Sequence, residues 1–187
     1  MRSAQGDRPG ALASYQAALA IHERLAKADP GNAGWQRDLA LTHGKIGDVQ
    51  SAQGDEPGAL ASYQAGFAVV ERLAKADPGN TDWQRGLSAA HIKIGDVQSA
   101  QGDGPGALVS YQAALAIRER LAQTDPGNVG WQRDLIVSLV KLNEVTGDRA
   151  YAEQALSLAL AIQQRDTLAP RDTWITIIEE LKRRAGQ

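Results

Sequence analysis

A fixed spacing constrains this chain more than any single motif: tryptophans stand at Trp35, Trp83 and Trp131, each 48 residues after the last. The text between them recurs with the same period. Ser-Ala-Gln-Gly-Asp occupies 3–7, 51–55 and 99–103, and Gly-Ala-Leu occupies 10–12, 58–60 and 106–108. Asp-Pro-Gly-Asn follows at 29–32, 77–80 and 125–128, and Trp-Gln-Arg at 35–37, 83–85 and 131–133. Such a period means one supersecondary unit stacked on copies of itself, because a single unit cannot bury its apolar face alone. The 187 residues allow one such array, long enough to bury a core.

Each period reads as two helices. From about Pro57 to Lys75, Leu60, Tyr63, Phe67, Val70 and Leu73 recur at steps of three and four, the spacing of a buried helical stripe. From about Thr81 to Ala100, Trp83, Leu87, Ala90, Ile94 and Val97 make a second stripe. Between the helices, Asp77-Pro78-Gly79-Asn80 supplies two helix breakers and an N-cap, and Gly102-Asp103 supplies a helix end followed by a cap before Pro105. No useful length alternates with period two. The expectation is an all-α chain of helix pairs, each helix about 20 residues and about 30 Å long.

Composition removes several function classes. Twenty Lys plus Arg against 22 Asp plus Glu give a net charge of −2 and a pI near 5.9, so the chain offers no extended basic footprint for nucleic acid or an anionic membrane. Zero cysteines exclude disulfides, thiolate metal sites and a cysteine nucleophile. Charged and turn-forming residues break every apolar stretch before the roughly 20 residues of a membrane span, and no hydrophobic signal core follows Met1. The cytoplasm is the expected location.

The residues resemble the tetratricopeptide repeat, a helix pair of about 34 residues with a Leu-Gly in its first helix, an Ala-x3-Phe pattern and a closing Pro. Here Ile94-Gly95, Gly102-Asp103, Ala107, Tyr111, Ala114 and Pro126 make one such series, and Ile46-Gly47, Gly54-Asp55, Ala59, Tyr63, Gly66 and Pro78 make another. Trp83 lies eleven residues before Ile94 instead of three, Pro78 lies fifteen after Tyr63 instead of about eight, and Gln50 and Gln98 replace the usual first-helix Tyr. The longer period fits helices extended by about two turns each. The resemblance, which covers residues 3–145 well, implies a TPR-like α-solenoid of antiparallel helix pairs with right-handed superhelical stacking.

On that frame residues 1–187 form one array. Residues 1–32 are a partial first repeat with the second-type helix only, 33–80 and 81–128 are full repeats, 129–169 is a divergent repeat, and 170–187 is a C-terminal capping helix. Because the array opens in mid-repeat, it is expected to be a piece of a longer array or to leave an apolar face on its first helix, residues 9–28, for a second copy to cover. At the far end Asp172 is expected to cap a helix with Trp174, Ile177, Ile178 and Leu181 on one side. Lys182-Arg183-Arg184 suits the negative end of that helix.

Catalytic chemistry finds no support. His43 and His91 are repeat equivalents about one helix spacing apart, too far for one metal whose His nitrogens sit near 2 Å, and with His22 they read as structural. Asp29, Asp77 and Asp125 belong to turns, and Asp7, Asp55 and Asp103 to caps. Neither a Gly-x-Ser-x-Gly elbow nor a phosphate loop occurs. Catalytic, cofactor and metal residues are therefore expected to be none, and the tryptophans and Tyr15, Tyr63 and Tyr111 read as packing residues.

What differs between the copies is more informative. Variation gathers in the middle of the first-type helix: Ala40-Leu41-Thr42-His43-Gly44, Ser88-Ala89-Ala90-His91-Ile92 and Ile136-Val137-Ser138-Leu139-Val140. In the resembled family first helices line a concave groove that holds a peptide or partner helix. Carried over by motif, the groove rows are Arg37, Leu41, Gly44 and Asp48, then Arg85, Ala89, Ile92 and Asp96, then Arg133, Val137, Val140 and Glu144. Steps of four, three and four keep each row on one helix face. The alternative is that Arg and Asp only solvate the surface, with Lys45–Asp48 and Lys93–Asp96 as local pairs. The Lys and Asn of a C-terminal carboxylate clamp are missing, since Gly44, Ile92, Val140, Asp48, Asp96 and Glu144 fill those places. The expected partner is a protein or peptide, with no nucleic acid or membrane, and the expected role is a noncatalytic interaction scaffold. Two alternatives stay open: a module that self-assembles end to end through its N-terminal helix, and a regulatory module of a larger enzyme or signalling protein.

Overall fold

The computed structural model describes residues 8–165 and 171–186, excluding the side chains of residues 8, 9 and 171–176. The pentapeptide at 3–7 and the side chains of Asp172 and Trp174 lie outside those residues. Every regular element among them is an α-helix: α1 (Arg8–Ala28), α2 (Ala33–Ala52), α3 (Glu56–Ala76), α4 (Thr81–Ala100), α5 (Gly104–Thr124), α6 (Val129–Thr146), α7 (Arg149–Arg165) and α8 (Arg171–Ala185). None is long and apolar enough to cross a membrane. Helix α8 begins at Arg171, so Asp172 falls inside its first turn and not at the cap position before it.

Repeated turn residues explain where the helices stop and start. The Asn32, Asn80 and Asn128 side chains accept from the backbone N–H of Trp35, Trp83 and Trp131 at 3.1, 3.2 and 3.1 Å, satisfying amides that have no partner within a helix. At the other junction Gly54 and Gly102 take left-handed φ values of 78° and 79°, a conformation only glycine adopts without strain. Asp55 then caps α3, its carboxylate accepting from the Gly58 N–H at 3.0 Å.

Two compact units result, Met1–Asp103 and Gly104–Gln187, with the division between α4 and α5. In the first, α1 packs on α2, α2 on α3 and α3 on α4. Its buried centre joins Ala59, Tyr63 and Val97 with Leu60 and Ile94, all but Ala59 members of the two stripes legible in the sequence. In the second, α5 packs on α6, α6 on α7 and α7 on α8, around a larger core that includes Leu139, Leu156, Ile162, Ile178 and Leu181. The Arg149 guanidinium on α7 donates to the Ala185 carbonyl and ties down the end of α8.

The Trp-Gln-Arg motif divides its work in a way the sequence did not reveal. The tryptophans do not fill the core: Trp35, Trp83 and Trp131 are all half-buried. The glutamines hold the junctions instead. Gln36 Nε2 donates to the Ala26 and Pro30 carbonyls at 3.1 and 3.4 Å, and Gln84 Nε2 to Ala74 and Pro78 at 3.4 and 3.3 Å. Gln132 reaches Ala122 at 3.5 Å. Each glutamine thereby satisfies a carbonyl left open in the last turn of the preceding helix, and Gln36 and Gln84 also hold the carbonyl of the proline in the connecting turn.

Candidate functional site

An open cavity of about 470 Å³ lies in the first unit between α2 and α4, with α3 as its floor. It exists because small residues line it. A Cβ on Gly44 would meet nothing within 4 Å, so the backbone of α2 faces the opening directly. Gly66 permits α3 to press against α2, where an added Cβ would sit 3.0 Å from the Ala40 carbonyl oxygen. Gly86, Ala89 and Ala90 hold the α4 wall back. Leu41, 54% exposed, stands on the α2 wall, and Phe67 and Val70 form the apolar floor. The edge of the Phe67 ring packs against His91, centroids 4.8 Å apart.

Charge sits at both ends. Near the N-termini of α2 and α4 are Arg37, Asp82 and Arg85, beside the half-buried Trp83; near the other end are Lys45, Asp48 and Lys93. Asp48 joins the helices there. It accepts the Tyr63 phenol at 2.9 Å, and lies 2.9 Å from Lys93 Nζ and 3.8 Å from Lys45 Nζ. Lys93 Nζ also stands 5.8 Å from the centre of the Tyr63 ring, within cation–π range. Burial first, then the Asp48 hydrogen bond, push the Tyr63 phenol well above its ordinary pKa, so it stays a donor. His43 and His91 are pushed below the usual imidazole value by burial, which Glu23 and Glu71 respectively oppose.

The same ionic tie recurs in the second unit. Glu144, at the repeat position of Asp48, lies 3.6 Å from Lys141 Nζ and 3.2 Å from an Arg184 guanidinium nitrogen on α8. In each unit a carboxylate late in one first-type helix thus meets a lysine on its own helix and a cation from a later helix. These sites are partly exposed, so each pair contributes little alone.

Of the sequence-predicted rows, Arg37, Leu41, Gly44 and Asp48 all border this cavity, as do Arg85 and Ala89. Ile92 is buried at 7% exposure and Asp96 is half-buried; neither lines it. The reason is geometric. Two helices flanking one groove present opposite flanks to it, so positions carried from α2 to α4 by translation miss by about 60°, the angle between the row 85/89/92/96 and the row 82/86/89/93 at 3.6 residues per turn. Arg133, Val137, Val140 and Glu144 belong to the second unit. Val137 is 43% exposed there, and Val140 packs against that unit's core.

Sequence reasoning passed over the floor, although the signal was present. In the second copy alone, Gly66, Phe67 and Val70 replace Ala, Leu and a His or Arg, and Asp82, Gly86 and Ala90 replace Gly, Asp and a hydroxyl residue. All six line the cavity. Among the described residues no group of three His, Cys, Asp or Glu side chains is placed to hold a metal ion.

Against known proteins, neither a family model nor a curated protein matches the chain. Solved structures do. BtubC (BKLC) from P. vanneervenii superposes with a TM-score of 0.53 at 15% identity, over 97% of this chain and 85% of that one. The likeness is one of fold. MamA aligns over 100% of this chain and 97% of its own at 16% identity, with a TM-score of 0.36.

Proposed function

We propose that this chain is a noncatalytic protein-interaction module of lengthened tetratricopeptide-like repeats, and that it holds a peptide or partner helix in the cavity between α2 and α4. The observation that carries this reading is an open, apolar-floored space whose floor and far wall consist largely of residues that depart from the other copies. Differences required only by folding have no reason to gather around one opening. The strongly perturbed phenol, Tyr63, is 5% exposed and bonded to Asp48, which suits a structural tie better than proton transfer. A photo-crosslinking amino acid placed at Leu41 or at Val109, which is 67% exposed outside the cavity, tests the idea in the source cells. Specific adducts from position 41 that are absent from position 109 support it. Equal labelling at both positions refutes it.

One observation favours self-assembly as a second reading. Ile21 on α1 is 50% exposed, whereas its repeat equivalents Val69 and Ile117 are 8% and 7% exposed. A second copy covering that face would bury it. Light scattering behind size-exclusion chromatography over a hundredfold concentration range decides. A mass that climbs for the native chain and stays constant for Ile21→Glu supports assembly through α1, and a constant mass in both rules it out.

A further inference from the structure

The charges around the cavity define the chemistry of its occupant, on the reading that the cavity is a peptide site. It is lined by four cations, Arg37, Lys45, Arg85 and Lys93, against two carboxylates, Asp48 and Asp82, in a chain whose overall charge is −2. Each end carries two cations and one acid. Arg37 and Lys45 are eight residues apart on α2, as are Arg85 and Lys93 on α4, so the two cationic ends are about 12 Å apart at 1.5 Å per residue. Leu41, Phe67 and Val70 lie between them and offer an apolar seat.

We propose that the cavity takes an extended acidic peptide segment in which two carboxylate side chains four residues apart flank one apolar side chain. An extended chain rises about 3.3 Å per residue, so four residues span about 13 Å and match the separation of the cationic ends. Side chains at i, i+2 and i+4 share one side of such a segment, which aims both carboxylates at the ends and the middle residue at the floor. A helical segment covers the same distance only with acids about eight residues apart. The net negative charge of the chain repels acidic peptides at long range, so a preference for them has to arise locally at this cavity. The lysine side chains at the Asp48 end are about half exposed, 58% for Lys45 and 49% for Lys93, which leaves them in reach of a ligand and open to screening by salt.

A displayed library of random dodecapeptides selected on the full-length chain tests this, with binders measured on purified protein by fluorescence anisotropy. The expected binders carry an acid-x-apolar-x-acid pattern and lose at least tenfold in affinity to Arg37→Glu or Lys45→Glu and on raising the salt. They also lose binding to Gly44→Trp, which places a ring in the open space beside Gly44. Circular dichroism checks that each variant keeps its helices. Binders without the acid pair that are still blocked by Gly44→Trp overturn the acidic assignment and leave the groove reading intact. An empty selection, or binders indifferent to Gly44→Trp, overturns both.

Discussion

Gly44 and Gly47 lie three residues apart in the interior of α2, yet alanine at the two positions is expected to change stability in opposite directions. Both substitutions remove the conformational cost of glycine inside a helix, worth about 0.5–1 kcal/mol. At Gly44 nothing opposes the gain, because an added Cβ meets no atom within 4 Å. At Gly47 the Cβ arrives 2.6, 2.7 and 3.0 Å from Tyr63 Cε1, Cδ1 and Cζ, whereas carbon atoms rest at about 3.5–4.0 Å. The ring has little room to retreat, being 5% exposed and fixed at its hydroxyl by Asp48. Overpacking of this kind costs about 1–3 kcal/mol, which exceeds the helix gain and leaves a net loss on the order of 1 kcal/mol. The two alanine variants therefore differ by about 2 kcal/mol. Urea titration followed by far-UV circular dichroism, with calorimetry beside it, reads that difference as a rise in midpoint for Gly44→Ala and a fall for Gly47→Ala. In a Tyr63→Leu background the penalty at Gly47 shrinks, because the ring that causes it is gone. Equal stability of the two single variants, or an undiminished penalty without the ring, refutes the close contact between α2 and α3.

Gln36→Ala removes the donor to the Ala26 and Pro30 carbonyls and the acceptor of Arg72 Nη2 at 2.5 Å, with an expected loss of about 1–3 kcal/mol by denaturant titration. His43 and His91 have folded-state pKa values below the unfolded value of 6.5, so the unfolded chain binds protons first as pH falls. Stability is then full above pH 6.5 and declines on acidification through that value, and the slope flattens in the double variant His43→Leu/His91→Leu when melting is followed between pH 7.5 and 5.5. In the second unit Arg118, 5% exposed, donates to the Asp134 carbonyl at 2.6 Å and to Ser138 Oγ at 3.0 Å. Ser138→Ala is expected to cost about 1–2 kcal/mol alone and much less beside Arg118→Val, a non-additivity that a double-mutant cycle measures.

The helices were legible because local chemistry and repetition agree on them. Asn at a cap, Gly at a left-handed position and apolar residues at steps of three and four each act within one turn, and each occurs in more than one copy. The sequence reading of α4, from Thr81 to Ala100, matches the helix observed. Trp35, Trp83 and Trp131 pack half-buried one turn after the cap, and the glutamine beside each reaches back to a carbonyl of the preceding helix. Nothing in a list of residue types distinguishes those two orientations. The helix phase decides it, and phase depends on the preceding helix against which the glutamine packs.

For the cavity, the legible part was whichever flank shares its phase with the resembled family, and the missing part was set by pairing across helices. His22, Val70 and Arg118 hold one repeat position, and Thr42, Ala90 and Ser138 hold another. His22 Nδ1 lies 2.8 Å from Thr42 Oγ1, and Arg118 donates to Ser138, so two copies fill the contact with a polar pair. The copy between them places Val70 and Ala90 there, two small apolar residues that both line the cavity. A buried polar pair has to meet its partner, whereas an apolar pair has no such demand, and at Gly86 beside it an added Cβ would sit 3.3 Å from Val70 Cγ1, so the glycine makes room for Val70. Replacing polar partners on both helices together avoids stranding either group, so the change costs little stability. Two residues that line the cavity between α2 and α4 are thus a coupled pair of substitutions, each of which looks like ordinary drift when one helix is read alone.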